Sequence, residues 1–275
     1  MGTLSKLKKR YFGKKSMLQL YLLAIIPIAC IILFCYVPMS GILIAFKDYS
    51  VRKGILGSPW AGMKYFEQLF GTPIFTDILR NTIVLSLLGL IVGFPFPILL
   101  ALAFNEIRNA RIKKTLQTIS FAPYFISTVV VVGILNQIFS YRYGVVNGVL
   151  NLLGQESVNF LGMRGFFRPA YVLSGVWQGA GYGSVLYIAA LSSVDLYEAA
   201  ALDGASRLQR VIYVDLPCIA PTIIISLIMN TGSILSVGFE KVFLMQNPVN
   251  YGVSEIISTY VYKTGIVQAQ FSFST

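Results

Sequence analysis

The chain has 275 residues, 56% of them hydrophobic and 12% charged, with a mean hydropathy of +0.71. A soluble domain carries about 25% charged residues, and here the apolar residues come in long blocks; 18–46 and 82–104 hold no charge at all. The net charge of +11 does not indicate nucleic acid, because Lys6, Lys8, Lys9, Arg10, Lys14 and Lys15 crowd just before the first block, as on the cytoplasmic flank of a membrane helix, and no soluble module offers a basic patch.

The basic-then-apolar start is too long for the 7–15-residue core of a signal peptide, and no A-x-A-like site follows it. It reads as an uncleaved first span over 17–46, kinked at Pro27 and Pro38. Further spans are predicted over 81–104, 119–139, 169–191 and 217–239, which makes an all-α, polytopic transmembrane helical bundle. With the N-terminus inside, the inner segments hold 12 basic residues in 55 positions and the outer ones 10 in 99, the asymmetry expected of that orientation. Outside, Phe66, Leu69 and Phe70 share a helical face after Trp60, an interfacial anchor. Thr72 and Pro73 make a helix start, and Asn147 and Asn151 recur at helical spacing. These short helices either connect spans or dock a partner.

Cys30, Cys35 and Cys218 have neither paired nor metal-ligand spacing, and the chain has no histidine. Disulfide scaffolds and histidine-ligated metal sites are excluded. The spans carry no ionisable group away from their ends, which argues against a proton-coupled carrier. A membrane enzyme would need convergent catalytic groups that the sequence lacks. No G-x-x-x-x-G-K-[ST] loop is present, so the chain offers no such phosphate-binding loop for a nucleotide.

The inner loop 192–217 is the most informative stretch. Asp195 and Glu198 have capping-box spacing, Ala199, Ala200 and Ala201 favour helix, and Gly204 suits a positive φ that ends it. A second helix is expected from Ser206 through Arg210 toward Pro217. Asp195, Glu198, Asp203 and Asp215 outnumber Arg207 and Arg210, whereas a helix lying on anionic lipid should be basic. The loop therefore reads as a protein-docking element. Glu106, in the other inner loop, is expected to be a bystander.

Glu198, Ala199 and Ala200, then Asp203, Gly204 and Ala205, then Leu216 and Pro217 resemble the EAA loop of ABC-superfamily importer permeases. Val37-Pro38-Met39, Ile44-Ala45-Phe46-Lys47-Asp48-Tyr49, Gly57-Ser58-Pro59-Trp60 and Gly238-Phe239-Glu240-Lys241 resemble the branch that imports sugars and polysaccharide-derived oligosaccharides, similar to the larger maltose-type permease subunit. The resemblance implies the type I ABC importer permease fold. It places a basic tail, first span and outer segment in 1–77 and a permease core in 78–275. It also implies a further span after Thr275 and alternating access driven through the EAA loop. The implied partners are a homologous second permease, a cytoplasmic ABC ATPase dimer holding ATP and Mg, and an extracellular solute-binding protein, all in membrane lipid of a bacterial cell; no cofactor is expected on this chain. Trp177, Gln178, Gly179 and Tyr182 resemble the family's W-x-G-x-x-Y segment facing the sugar cavity. Their aromatic, amide and hydroxyl groups suit a sugar, but the glycines equally suit helix packing. Asn230 and Ser233 are polar within a span, hence either functional or bonded to a neighbouring helix.

Overall fold

The computed structural model describes residues 14–192 and 197–275. Among them the only extended pairing is one antiparallel bridge between Lys47 and Trp60; all other regular structure is helical. That suits a lipid environment, where backbone groups must be satisfied within their own element. Three helices are long and apolar enough to cross a membrane, and a bent pair supplies a fourth candidate. The residues fall into two units, 1–71 with 261–275, and 72–260.

In the first unit, helix α1 (Gln19–Phe46) buries none of its apolar window within the protein, as expected of a helix facing lipid. Pro38 lacks an N–H, and the helix widens into a π-turn, Ile32–Tyr36, just before it. There the Val37 amide donates to the Ile32 carbonyl, five residues back. Phe46, at the end of α1, stacks on Trp60 at 5.7 Å and meets Phe66 at 5.2 Å. Phe66 lies on helix α2 (Lys64–Gly71), so the aromatic face read from the sequence packs against this chain's own first span. Asp48 accepts from Lys64 Nζ at 2.9 Å and from the Tyr65 hydroxyl at 2.5 Å, and these two bonds hold its carboxyl below the usual range. The segment 261–275 belongs to this unit too; the Tyr49 amide donates to Ser272 Oγ at 2.8 Å.

In the second unit, Thr72 holds the N-cap position without a side-chain cap bond and Pro73 opens helix α3 (Pro73–Asn105), a start legible in the sequence; its ladder is interrupted at Phe94, just before Pro95. Helix α4 (Ala110–Phe121) leads into a 3₁₀ turn, Ala122–Phe125, and helix α5 (Thr128–Ile138) follows at an angle of 97°. The span expected over 119–139 is therefore broken rather than straight. Ile126 and Ser127 are extended, and Ser127 Oγ caps α5 by accepting from the Val130 amide at 3.4 Å. In the short helix Val145–Leu152, Asn147 is buried and bonds the Ser140, Tyr141 and Val158 carbonyls. It is a structural pin of its own loop.

Helix α6 (Arg164–Leu191) covers the residues expected as the fourth span, but it is not among the helices apolar enough to cross a membrane, and it is the central element. Near one end Phe167 packs with Leu85, Val242 and Ile256; near the other, Tyr187 and Leu191 pack with Ile98, Ala101, Leu102 and Ile219. Five glycines, Ser174, Gln178 and Ser184 make it less apolar than the other spans, because protein rather than lipid surrounds much of it. A Cβ on Gly181 would fall on the Ser120 carbonyl at the end of α4, and one on Gly183 would lie 3.2 Å from Pro97. Gln178 Nε2 donates to the Ile126 carbonyl at 2.8 Å, satisfying a group freed by the bend.

Helix α8 (Arg207–Gly232) replaces the expected 217–239 span. It ends early because Asn230, Thr231 and Ser233 turn their side chains onto the Ser226, Ile228 and Asn230 carbonyls, competing with helix continuation. A separate helix α9 (Phe239–Met245) follows. Its Lys241 is buried, donating to the Tyr171 carbonyl at 3.0 Å.

Two glycines two residues apart on α6 make a test. Gly181→Ala should destabilise by about 1–3 kcal/mol through overpacking, whereas Gly179→Ala, with nothing within 4 Å of the new Cβ, should stay within about 0.5 kcal/mol of the parent. Thermal unfolding of the purified protein compares them; equal midpoints would remove the close approach from the account.

Candidate functional site

Helix α7 (Tyr197–Leu202) and the first turn of α8 form a helical pair joined at Gly204. Gly204 has φ +71°, and the Ala205 amide donates to the Ala200 carbonyl at 3.0 Å. This six-to-one bond over a left-handed glycine is a Schellman ending. Ser206 then caps α8, with a reciprocal box: its hydroxyl accepts from the Gln209 amide while its own amide donates to Gln209 Oε1 at 2.8 Å. The spacing of Ser206 and Gln209 carried that signal in the sequence. Of the other proposed box, Asp195 lies outside the described residues, as do the side chains of Glu198 and Ala199, whose backbone is helical in α7.

The second helix expected from Ser206 is not a separate element. It continues through a π-turn, Val211–Asp215, into the membrane helix, and the Leu216 amide donates to the Val211 carbonyl just before Pro217. As in α1, a five-back bond absorbs the missing proline N–H. Asp203, Gly204 and Pro217 are exposed, while Ala200, Ala205 and Leu216 are half-buried. Leu202 and Leu208 are 89% and 69% exposed, so the pair presents apolar side chains outward.

Its other side is tied down by polar groups. The Tyr197 hydroxyl donates to Asp215 Oδ1 at 2.7 Å and accepts from Asn105 Nδ2 at 2.9 Å. Burial, reinforced by the Asp215 bond, pushes the Tyr197 hydroxyl up to about 12, so it stays a donor at physiological pH. Asp215 is fully buried, and its Oδ2 has no hydrogen-bond partner among the described residues. Arg210 Nη2 donates to both oxygens of Glu106, at 2.7 and 2.9 Å, and its guanidinium lies over the Tyr197 ring at 5.9 Å. Arg207 Nε approaches the same carboxylate at 3.9 Å. Glu106 is therefore no bystander. Sequence spacing could not reveal this contact, because it joins residues 104 positions apart.

The residues proposed for a substrate path separate into two places. Asn230 and Ser233 line a cavity of about 430 Å³ of mixed character, with Ser86 and Ser226 beside Leu85, Phe94, Leu186 and Val237. Trp177 lies instead on an apolar hollow of about 300 Å³ with Phe139, Phe166 and Leu173. Tyr182 stacks on Tyr124, with ring centroids 4.1 Å apart and planes within 10°. Gln178 spends its amide nitrogen on the bend at Ile126, and Gly179 faces open space. Trp177 and Tyr182 are 51% and 46% exposed.

Apolar helices of spanning length around a cavity of mixed lining, with a structured loop at the start of one of them, fit a membrane transport subunit. The chain belongs to the family of binding-protein-dependent transport system inner membrane components, which it matches over residues 93–274, and it is a permease of ABC importers rather than an enzyme. It is 45% identical to the polygalacturonan/rhamnogalacturonan transport system permease protein YteP of Bacillus subtilis, over 98% of this chain and 85% of that protein. It is 44% identical to protein LplB of the same organism, over 93% of this chain and 81% of that one. Among solved structures, a chain of a bacterial ABC transporter involved in the import of the acidic polysaccharide alginate matches with a TM-score of 0.87 and 39% identity, covering 98% of this chain and 90% of that one.

Tyr197→Phe removes the hydroxyl that faces Asp215. Leaving a buried acceptor unsatisfied costs about 1–3 kcal/mol, so amide exchange across 197–210 should speed up about tenfold or more while the spans stay protected. Unchanged exchange in the loop would show that the Asp215 bond does not anchor it.

Proposed function

We propose that this chain is one of two permease subunits of a bacterial importer for oligosaccharides released from acidic polysaccharides, and that residues 197–217 couple it to a cytoplasmic ATPase. The carrying observation is the helical pair itself: a Schellman glycine, a capping box and exposed Leu202 and Leu208 on a base tied to the protein by Tyr197 and Arg210. A mere connector needs no such stiffening. Glu198, Ala199, Ala200, Asp203, Gly204, Ala205, Leu216 and Pro217 form the docking and hinge surface in this reading. The partners are a homologous permease, an ATPase dimer that binds ATP and Mg, and an extracellular solute-binding protein. The N-terminus is cytoplasmic, residues 78–275 form the transport core and 1–77 its N-terminal extension.

Substrate class is inferred from the relatives, whose names specify polygalacturonan, rhamnogalacturonan and alginate transport. The sugar crosses the cavity beside Asn230 and Ser233, whose amide and hydroxyl suit a hydroxylated solute. Trp177 and Tyr182 lie away from this cavity, and their exposed rings are proposed as stacking faces outside it. Gln178 belongs to helix packing.

Gly204→Val forces a β-branched residue into φ +71°, a conformation it adopts only with strain. In the reconstituted importer this variant, and Glu198→Ala, should lower oligogalacturonate uptake and substrate-stimulated ATP hydrolysis together, several-fold, with Gly204→Val also loosening the ATPase on purification. Full transport by both variants with the ATPase still bound would refute the coupling assignment. Equal uptake of neutral and uronic-acid oligosaccharides would refute the substrate class.

A further inference from the structure

Two neighbouring residues at the end of α3 hold both helices of the coupling pair. Asn105 bonds Tyr197 of α7 at 2.9 Å, and Glu106 takes Arg210 of α8 at 2.7 Å. Arg210 is committed to this carboxylate, whereas Arg207 approaches it only at 3.9 Å with its side chain 65% exposed. The Arg210 and Glu106 side chains are only 24% and 21% exposed, which leaves the pair less screened than a surface ion pair. Two bonds to two separate helices also oppose rotation of the pair about either bond.

The other end of this connection is the cavity. α3 carries Pro97, Gly93, Gly89 and Ser86, all on the cavity wall. At a rise of 1.5 Å per residue, Glu106 lies about 14 Å along the helix from Pro97. The segment Pro95–Asn105 is an uninterrupted helix whose ladder breaks at Phe94, so a displacement applied at Asn105 and Glu106 is delivered to the Pro97 part of that wall and to the joint at Phe94. The continuous helix α8 gives the pair a second hold on the same cavity, through Ser226 and Asn230. A loop attached through α8 alone would move one wall. The Glu106 attachment makes it move two.

We propose that the Glu106–Arg210 ion pair, with the Asn105–Tyr197–Asp215 bonds beside it, is the linkage that carries motion of the 197–210 pair to the α3 wall of the cavity. Glu106 is then a positioning residue for transport, acting through Arg210. The inference rests on the coupling reading of the loop. Spatial continuity alone does not establish energetic coupling, so the test is a charge exchange in the complete importer.

The importer is assembled in lipid vesicles with its second permease, ATPase and binding protein, and oligogalacturonate uptake is measured against ATP hydrolysed. Glu106→Gln and Arg210→Gln should each keep the ATPase on the purified complex yet lower sugar moved per ATP by about tenfold, while Glu106→Arg combined with Arg210→Glu should return it to within about threefold of the parent. Wild-type uptake per ATP in both single variants would overturn the proposal. So would single variants that are impaired but not recovered by the exchange, since each residue would then act separately. Loss of the ATPase from both single variants would also overturn it, by making them part of the docking surface. Failure of the coupling reading itself would show differently, as full transport by Gly204→Val with Glu106 and Arg210 intact.

Discussion

In lipid, apolar side chains gain little by leaving the solvent for each other, and helices stay together through close packing and hydrogen bonds. α6 shows how this chain meets that constraint. Gly181 lets the backbone of α4 come against it, Gly183 admits Pro97, and Gln178 supplies the bond that a broken span needs at Ile126. The third span can bend by 97° because α6 satisfies the bend. With α6 held by α3, α4 and α8, the cavity beside it has a defined wall, and the loop at the start of α8 has a fixed base.

Proline breaks are handled by one device in two places. Before Pro38 and before Pro217 the helix loosens by one residue into a π-turn, so the carbonyls opposite the ring are not left bare. At Pro217 this has a mechanical result. The second helix of the coupling pair and the membrane helix are one continuous rod, stiffened at its start by the Ser206 capping box and joined to α7 by the turn at Gly204. Such a rod transmits displacement, whereas a flexible tether would absorb it. The buried Asp215 sits within the π-turn and ties it to Tyr197, so the widest part of the rod is also bonded to the neighbouring helix.

Much of this was legible in the sequence because it is local. Apolar block length found the first two spans, Thr72-Pro73 marked the start of α3, and Gly204 marked a turn that only positive φ allows. What was missed is long-range or depends on side chains competing with backbone. The span over 119–139 looked straight because its apolar run is continuous, and its break depends on a glutamine 52 residues away. The end of α8 at Gly232 follows from Asn230, Thr231 and Ser233 bonding their own carbonyls, a tendency that apolar flanks concealed. Glu106 looked idle because its partners lie in another loop. Trp177, Gln178 and Tyr182 look like one motif in sequence, but at helical spacing they point to a hollow, a bend and a ring stack.

The account stands on the 197–217 pair being the surface that meets the ATPase. A photo-crosslinking residue placed at Leu202 or Leu208, both highly exposed, reads this directly in the assembled importer. The account predicts covalent capture of the ATPase from both positions, with a yield that changes between nucleotide-free and ATP-bound states. Capture of only lipid or the solute-binding protein from these positions would contradict it.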